Sequence, residues 1–164
     1  QVIIMNNYQR KRFAEMIQNS LNGVITNKKI AILGWAFKKN TNDTRESSSI
    51  YIAEHLLKKG ALLNIYDPKV KSSKILNDLT INLKSLKYSE NEIKDLVERI
   101  NIFDDILSAS QNVDAISILT EWDEFKEFNW HNLLKGVDYP RYIFDGRLIL
   151  DEKKVPKQIK LIKI

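Results

Sequence analysis

The segment Lys29-Ile30-Ala31-Ile32-Leu33-Gly34 is a continuous apolar run of strand length. A run without alternating polar residues is typical of a strand that is covered on both faces, as in a buried parallel sheet. Residues 45–59 then carry apolar side chains at helical spacing, and Gly60 is placed to end that helix. A second apolar strand, residues 61–66, stops at Asp67-Pro68 because proline cannot donate to a sheet ladder. The order strand, helix, strand predicts a βαβ unit.

The flanking segments extend this unit into one fold. An amphipathic helix over residues 8–21 has no capping signal ahead of it, so we expect it to begin upstream of residue 1. The capping box at residues 89–92 predicts a helix from about Glu90 to Arg99, and residues 69–88 are hard to assign. Further strands are predicted at 100–103, 113–119 and 142–144. This alternation predicts an α/β, Rossmann-like, three-layer fold, an open and mostly parallel sheet with helices on both faces.

The composition excludes several classes of protein. Hydrophobic residues make up 43% of the 164 residues and charged residues 29%, as in an ordinary globular protein. The chain has no cysteine, which excludes disulfides, thiolate metal sites and a cysteine nucleophile within it. No apolar run approaches the ~20 residues of a membrane-spanning helix, and the start of the chain lacks the pattern of a signal peptide. We therefore expect no membrane association and a cytoplasmic location.

The net charge of +5 points to a small anionic ligand. The lysines are scattered and alternate with acidic residues, whereas a nucleic-acid-binding surface gathers them into one stripe. We therefore expect no nucleic-acid partner. A small ligand that carries phosphate explains a modest net positive charge more simply than a nucleic acid does.

Cations, hydroxyls and aromatic rings follow the predicted strands, where open parallel sheets bind ligands. Lys38 and Arg45 follow the first strand, and Arg147 follows the strand at 142–144. Asp43 and Thr44 are placed to cap the helix after the first strand, whose free amide groups form an anion site. The planar fork of an arginine and the compact charge of a lysine together suit a diphosphate.

Ordinary structural roles stay open for the same residues. Residues 43–48 could form only a capped helix start, Lys38 a solvated charge, and Arg147 a surface arginine. We interpret Trp35 and Trp122 as packing residues in preference to platforms for a base.

Other possible sites have weak signals. Gly34 stands without the other glycines of a dinucleotide-binding fingerprint. Asp67 occupies the place of a ribose-binding acid, but a turn residue ahead of Pro68 is the better interpretation. His55 and His131 have no partners at ligand spacing, so we predict neither a metal site nor a catalytic histidine.

The run from Lys29 through Gly34-Trp35-Ala36-Phe37-Lys38-Lys39 to Ser49 closely resembles UDP-glucose 6-dehydrogenases, particularly the eukaryotic type. The similarity continues, in the same order, through Ile65-Tyr66-Asp67-Pro68-Lys69-Val70, Thr120-Glu121-Trp122-Asp123-Glu124-Phe125 and Ile143-Phe144-Asp145-Gly146-Arg147. It covers nearly the whole chain and is weakest over residues 71–100.

The resemblance implies a reaction and a division of labour. This family oxidises UDP-glucose to UDP-glucuronate in two steps, each reducing one NAD, by way of a thiohemiacetal and a thioester on a cysteine. The catalytic residues belong to preceding parts of the enzyme, so the resemblance implies no catalytic residue here. We expect residues 1–27 to be the end of the central helical region and 28–164 to be the C-terminal UDP-sugar-binding domain.

The resemblance also implies ligand contacts. Phe37 and Lys38 match positions that contact the UDP-sugar, and Arg45 matches one that reaches toward NAD, which the absent N-terminal domain binds. Arg147 matches an arginine that binds the UDP-sugar from a neighbouring subunit, so the expected partners include the absent domains and further copies in a homo-oligomer. The alternative is a stand-alone nucleotide-binding or interaction module without oxidoreductase activity, which the upstream sequence would distinguish.

Four positions depart from the family pattern. Trp35 stands where many relatives have phenylalanine, and Leu148 where an arginine is frequent. Asn40 and Asn42 stand where relatives have aspartate and glycine, and we expect Asn42 to take a glycine-like turn with positive φ.

Overall fold

The computed structural model describes residues 5–164 as six parallel strands with intervening helices. The strands are β1 Lys29–Leu33, β2 Leu62–Tyr66, β3 Ile100–Ile102, β4 Ala115–Ile118, β5 Tyr142–Asp145 and β6 Lys160–Lys163. The α-helices are α1 Asn7–Ser20, α2 Ser48–Lys58, α3 Ser72–Ser85, α4 Glu90–Val97, α5 Ile106–Ser110 and α6 Asp123–Glu127. Short 3₁₀ helices cover Trp130–Lys135 and Glu152–Lys154.

The sheet has the strand order β3-β2-β1-β4-β5-β6 and every neighbouring pair is parallel. β1 therefore lies in the interior of the sheet, and the chain runs to one side of it through β2 and β3, then to the other through β4, β5 and β6. This order confirms the predicted Rossmann-like α/β fold. The sequence analysis did not predict β6, an edge strand that is only partly buried.

The core explains why β1 is uniformly apolar. Residues 30–33 are fully buried, because helices cover both faces of the sheet. On one face α1 packs against α2, and α2 against α3; α5 packs against β1 and β2. Phe13 of α1 is fully buried and meets Phe144 of β5 edge to face, with ring centroids 6.4 Å apart. The first helix is thus part of the same core as the sheet.

Two features of the helices differ from the predictions. α1 begins at Asn7, since Asn6 and Gln9 form a capping box, so the prediction that this helix begins upstream of the chain is wrong. α3 fills the segment that was hard to assign, with Ile75, Leu79 and Leu83 buried. The capping box at Ser89 is confirmed. The domain boundary between residues 27 and 28 stays a prediction.

Within residues 5–164, none of the helices is both long enough and apolar enough to cross a lipid bilayer.

Candidate functional site

The strand order of the sheet has its switch point between β1 and β4. These strands are neighbours, but the connections that follow them run in opposite directions along the sheet. The connections after β1 and β4 therefore leave this switch point in opposite directions, and open α/β sheets bind their ligands at such a point. The segments that the sequence analysis selected lie on the carboxyl edge of the sheet.

Gly34 brings the loop after β1 against the loop after β4. Its φ is 101°, and a Cβ at this position would lie 2.7 Å from the backbone nitrogen of Thr120. Thr120 Oγ1 donates to the Ala36 carbonyl at 2.8 Å, and Ser49 Oγ donates to the Gly34 carbonyl at 2.6 Å. Glycine suits both the backbone conformation and the close approach. The two loops and the start of α2 are therefore held together.

Phe37 and Lys38 come directly after this braced segment. The Phe37 N–H donates to the Asp43 carbonyl at 2.7 Å and closes the loop, and the Phe37 side chain is half-buried. Lys38 is exposed, and its ammonium makes no hydrogen bond or ion pair with any residue that the structure describes. The next residue, Lys39, pairs with Asp123 at 3.3 Å. Of two adjacent lysines, Lys39 has a counter-charge, and Lys38 has none in the part of the chain that the structure describes.

Arg45 lies two residues beyond the closure of the same loop. Its guanidinium donates to both oxygens of Asp43, from Nε to Oδ1 at 3.1 Å and to Oδ2 at 3.3 Å and from Nη2 to Oδ2 at 2.8 Å. These bonds, with one from the Arg45 backbone N–H, lower the pKa of Asp43 to about 2. The Arg45 side chain is 89% exposed, so water screens the pair and the guanidinium stays accessible to a ligand.

The predicted cap of α2 is wrong, because Ser47 caps the helix and not Asp43 or Thr44. Ser47 Oγ accepts from the Ser49 N–H at 3.3 Å. Asp43 instead accepts from the Arg45 N–H, as part of the loop. Glu46, at φ 59°, turns the chain between this loop and the helix. The helix consequently starts three residues later than the sequence pattern suggested.

Arg147 is buried at the back of Phe37. Its Nε donates to the Leu119 carbonyl at 2.8 Å and its Nη2 to the Phe37 carbonyl at 3.1 Å. Glu121 Oε1 lies 3.9 Å from Nη1. Burial lowers the pKa of the guanidinium, and the Glu121 carboxylate acts in the opposite direction. The alternative of an ordinary surface arginine is therefore wrong, since Arg147 joins the loops after β1, β4 and β5.

Asp145 fixes the loop that carries Arg147. It is fully buried, and Oδ1 accepts from the Arg147 N–H at 3.1 Å. Oδ2 accepts from the N–H groups of Ile149 and Leu150, at 2.9 and 2.8 Å. Leu148, at the tip, has φ 57° and points toward solvent. One carboxylate thus defines the turn after β5.

A groove of about 700 Å³ lies beside Phe37 and Arg45. Its walls are the start of α1 and the loop after β1, and its lining residues are Met5, Asn6, Asn7, Arg10, Phe37, Asp43, Arg45 and Glu46. Two of the four predicted ligand residues line this groove. Lys38 follows Phe37 directly, and Arg147 donates a hydrogen bond to the Phe37 carbonyl. The four predicted ligand residues therefore belong to one part of the edge.

The remaining sequence predictions have mixed outcomes. Trp35 and Trp122 are buried, which confirms the packing interpretation. Positive φ occurs at Asn40 (63°) and not at Asn42, so that prediction is wrong. His131 is exposed, and the described part of the chain has no group of three side chains that could hold a metal ion.

Sequence reasoning missed Arg10, which joins α1 to the site. Arg10 is buried, donates to the Glu46 carbonyl at 2.8 Å and to Ser48 Oγ at 3.2 Å, and lies 4.1 Å from the centre of the Tyr51 ring. Its residue type does not distinguish it from the neighbouring Lys11 and Arg12. Only its position on the helix face that carries Phe13 hinted at burial.

Comparison with known proteins identifies the family. Residues 31–152 match the model of the UDP-glucose/GDP-mannose dehydrogenase family, UDP binding domain. The chain is 47% identical over 152 residues to UDP-glucose 6-dehydrogenase of Caenorhabditis elegans and 49% identical over 152 residues to that of Gallus gallus. These alignments cover 93% of this chain and 30% of each relative. The chain therefore spans about a third of the length of these relatives.

Solved structures agree on the fold. A UDP-D-ManNAc dehydrogenase from Pyrococcus horikoshii superposes with a TM-score of 0.69 at 24% identity, covering 97% of this chain and 31% of that one. A UDP-glucose dehydrogenase from Pyrobaculum islandicum gives a TM-score of 0.63 at 20% identity, with 96% and 29% covered. The family match over most of the strands, together with the identity to these relatives, places the chain in the UDP-glucose/GDP-mannose dehydrogenase family, as its UDP binding domain.

Proposed function

We propose that this chain binds the UDP part of UDP-glucose for an enzyme that oxidises UDP-glucose to UDP-glucuronate with two NAD. The curated relatives that support this proposal are named UDP-glucose 6-dehydrogenases. The 164 residues contain no cysteine, and the two-step oxidation uses a thiolate to carry the thiohemiacetal and the thioester. We therefore propose that the nucleophile lies in the part of the relatives that this chain does not match.

The observation that carries the proposal is the exposed ammonium of Lys38, which has no ionic or hydrogen-bonding partner among the described residues and follows a braced backbone at the switch point. A lysine with a counter-ion must lose that interaction before it binds a phosphate, whereas Lys38 gives up only its hydration. The preceding residues are fixed by Gly34 and Thr120, so little backbone entropy is lost when a ligand is bound. We assign Lys38 to the pyrophosphate.

Phe37 and Arg147 complete the proposed contacts with the UDP-sugar. The half-buried ring of Phe37 lines the groove and offers an apolar surface to the nucleotide. Arg147 holds the Phe37 carbonyl from behind and adds positive charge below the loop. Binding energy from the UDP part orients the glucose for oxidation at its C6 without this chain touching that carbon.

The carboxyl edge of this chain does not fit a complete dinucleotide. Only Gly34 is present of the usual glycines, and both oxygens of Asp67, at the ribose-binding position, already accept backbone N–H groups. We therefore propose that NAD is bound mainly by other parts of the enzyme. The exposed guanidinium of Arg45 is the group here that we assign to the cofactor.

We also propose that the enzyme is a cytoplasmic homo-oligomer in which the loop after β5, with its exposed Leu148, lies near a subunit boundary. The support is the similarity of the Asp145-Gly146-Arg147 segment to the family. Sedimentation of the whole enzyme, with and without Leu148→Arg, tests the assembly.

Isothermal titration calorimetry of this chain with UDP-glucose, UDP-glucuronate and uridine tests the nucleotide-binding function. We expect both UDP-sugars to bind and uridine to bind at least about tenfold more weakly, since it lacks the charged phosphates. Lys28 precedes β1 at the opposite edge of the sheet, so Lys28→Ala is the control for Lys38→Ala. No heat with either UDP-sugar at millimolar concentration would contradict the proposal.

A further inference from the structure

Asp67 is a buried carboxylate that accepts five N–H groups at the carboxyl edge. It is 7% exposed. Oδ2 accepts from the backbone N–H of Trp35 at 2.7 Å, from that of Ala36 at 2.9 Å and from Trp122 Nε1 at 3.2 Å. Oδ1 accepts from the backbone N–H groups of Lys69 and Val70, at 2.8 and 3.1 Å.

These donors belong to three separate segments. Lys69 and Val70 form the turn that follows β2, in which Asp67 itself lies. Trp35 and Ala36 belong to the loop after β1, and Trp122 to the loop after β4. The two oxygens have different roles, because Oδ1 closes the local turn while Oδ2 joins loops that are 31 to 55 residues away in sequence.

The loop that Oδ2 holds is the one that presents Lys38. Its backbone is fixed at the Ala36 N–H by Asp67, at the Ala36 carbonyl by Thr120 and at the Phe37 carbonyl by Arg147. Lys38 is the next residue, and its side chain makes no hydrogen bond or ion pair within residues 5–164. The position of its ammonium therefore depends on the residues just before it.

We infer that Asp67 is a positioning residue that acts through the Trp35–Ala36 backbone to set Lys38 for a phosphate. This inference rests on the proposed UDP-binding function. The position after β2 holds a ribose in dinucleotide-binding sheets. Here the acid points inward, and the loop after β1 takes the place of the ribose as its hydrogen-bonding partner.

The chemistry of the side chain makes the inference testable. An asparagine has the same shape, but one of its two polar atoms is an NH₂ group, which cannot accept from an N–H. Asp67→Asn therefore keeps either the turn after β2 or the bonds to Trp35 and Ala36, and in both cases loses the full negative charge that strengthens them.

The first experiment measures amide hydrogen exchange and ¹H–¹⁵N shifts in the ligand-free chain. We expect Asp67→Asn to increase the exchange rate of the Ala36 amide by about tenfold or more and to move the Phe37 and Lys38 resonances, while Ile32 in β1 stays protected. The matched control is Asn64→Ala, which removes a buried hydrogen bond from the same strand to the Ala109 carbonyl (3.1 Å). It should lower the melting temperature without moving those resonances.

The second experiment is a double-mutant cycle on UDP affinity. Asp67→Asn should weaken UDP binding about tenfold in the native background and less than about twofold when Lys38→Ala is already present, because the two residues act on one contact. Equal weakening in both backgrounds, or a lower melting temperature with unchanged affinity and resonances, overturns the inference.

The two proposals fail in different ways. If the native chain binds no UDP, the proposed function fails, and the exchange experiment alone then tests whether Asp67 positions the loop. Unchanged Ala36 exchange both in Asp67→Asn and in Asp67→Ala, which removes both oxygens, overturns the inference. If Asp67→Asn does not fold, Trp122→Phe removes one donor to Oδ2 and should produce smaller changes in the same direction at Ala36, Phe37 and Lys38; no change there also overturns the inference.

Discussion

The loop after β1 and the loop after β5 each place a cation at the same edge of the sheet, but in opposite states. Lys38 is exposed and has no ionic partner among the described residues. Arg147 is buried and bonded to two backbone carbonyls, with Glu121 at 3.9 Å. One cation is available to a ligand at once, while the other already stabilises the protein.

The contrast shows that a sequence motif does not predict whether its charged residue is exposed to a ligand or buried in the structure. Both cations follow a buried strand, and the resemblance predicts for both a contact with the nucleotide sugar. A buried guanidinium contributes mostly to the shape of the site, and an exposed ammonium mostly to the affinity for the ligand. Substitutions at the two positions should therefore separate stability from binding.

The largest expected effect is on stability, at Arg147. Arg147→Met should lower the free energy of unfolding by about 3 kcal/mol, because Glu121 loses its counter-charge and the Leu119 and Phe37 carbonyls lose their donors. Urea unfolding followed by tryptophan fluorescence measures this. Lys38→Met should stay within about 0.5 kcal/mol of the native chain. Equal free energies of unfolding for Arg147→Met and Lys38→Met would contradict the proposed difference between the loops after β5 and β1.

Gly34→Ala should have the next largest effect, since it tests the rigidity of the loop after β1. The alanine would be strained at φ 101° and its Cβ would overlap Thr120, so we expect a loss of about 2 kcal/mol or more. Gly136→Ala is the matched control, because a Cβ there would have its nearest neighbour at 3.5 Å. Thermal unfolding by circular dichroism compares them, and similar melting temperatures would mean that this loop tolerates change.

Substitutions of the adjacent residues Lys38 and Lys39 compare an exposed lysine with an ion-paired one in their effect on UDP-glucose binding. Lys38→Ala should weaken UDP-glucose binding about tenfold, or ~1.4 kcal/mol, by loss of a charge-assisted hydrogen bond. Lys39→Ala should weaken it less than about threefold, because Lys39 is already paired with Asp123. Titration calorimetry distinguishes them. A larger effect at Lys39 would show that an ion-paired lysine is the better phosphate ligand here.

The smallest expected effect is the acid titration of Asp43. Its folded-state pKa of about 2 lies below its ordinary value of 3.8, so ionised Asp43 favours the folded state above about pH 4. That contribution is lost as the pH falls from about 4 to about 2. It should be small, since water screens the exposed pair. The ¹³Cγ shift of Asp43 reports the titration, and Arg45→Ala should return its midpoint toward 3.8.

The sequence predicted those helices and strands whose apolar residues recur at regular spacing. Five strands and the helices α1, α2 and α4 follow from apolar periodicity and capping signals. β6 was missed because Lys160 and Lys163 flank only two half-buried residues at the sheet edge. The start of α2 was placed too early because the run from Asp43 to Ser49 offers several good caps, and only the turn at Glu46 determines which one is used.

The sequence predicted where the residues of the candidate site lie, but not which hydrogen bonds they make within the protein. Phe37, Lys38, Arg45 and Arg147 do lie along one part of the edge, since carboxyl ends of parallel strands share an edge. Their contacts with UDP and NAD stay predictions. The bonding of Asp67 and Arg147 could not be foreseen, because their partners come from loops that meet only when the sheet has formed.

The most direct test of the central claim is a ³¹P NMR titration of UDP with this chain. If the exposed Lys38 ammonium holds the pyrophosphate at the carboxyl edge, both phosphorus resonances should shift or broaden with the native chain and with Lys28→Ala, and much less with Lys38→Ala. Unchanged ³¹P resonances with the native chain, or equal changes with Lys38→Ala, would contradict the account.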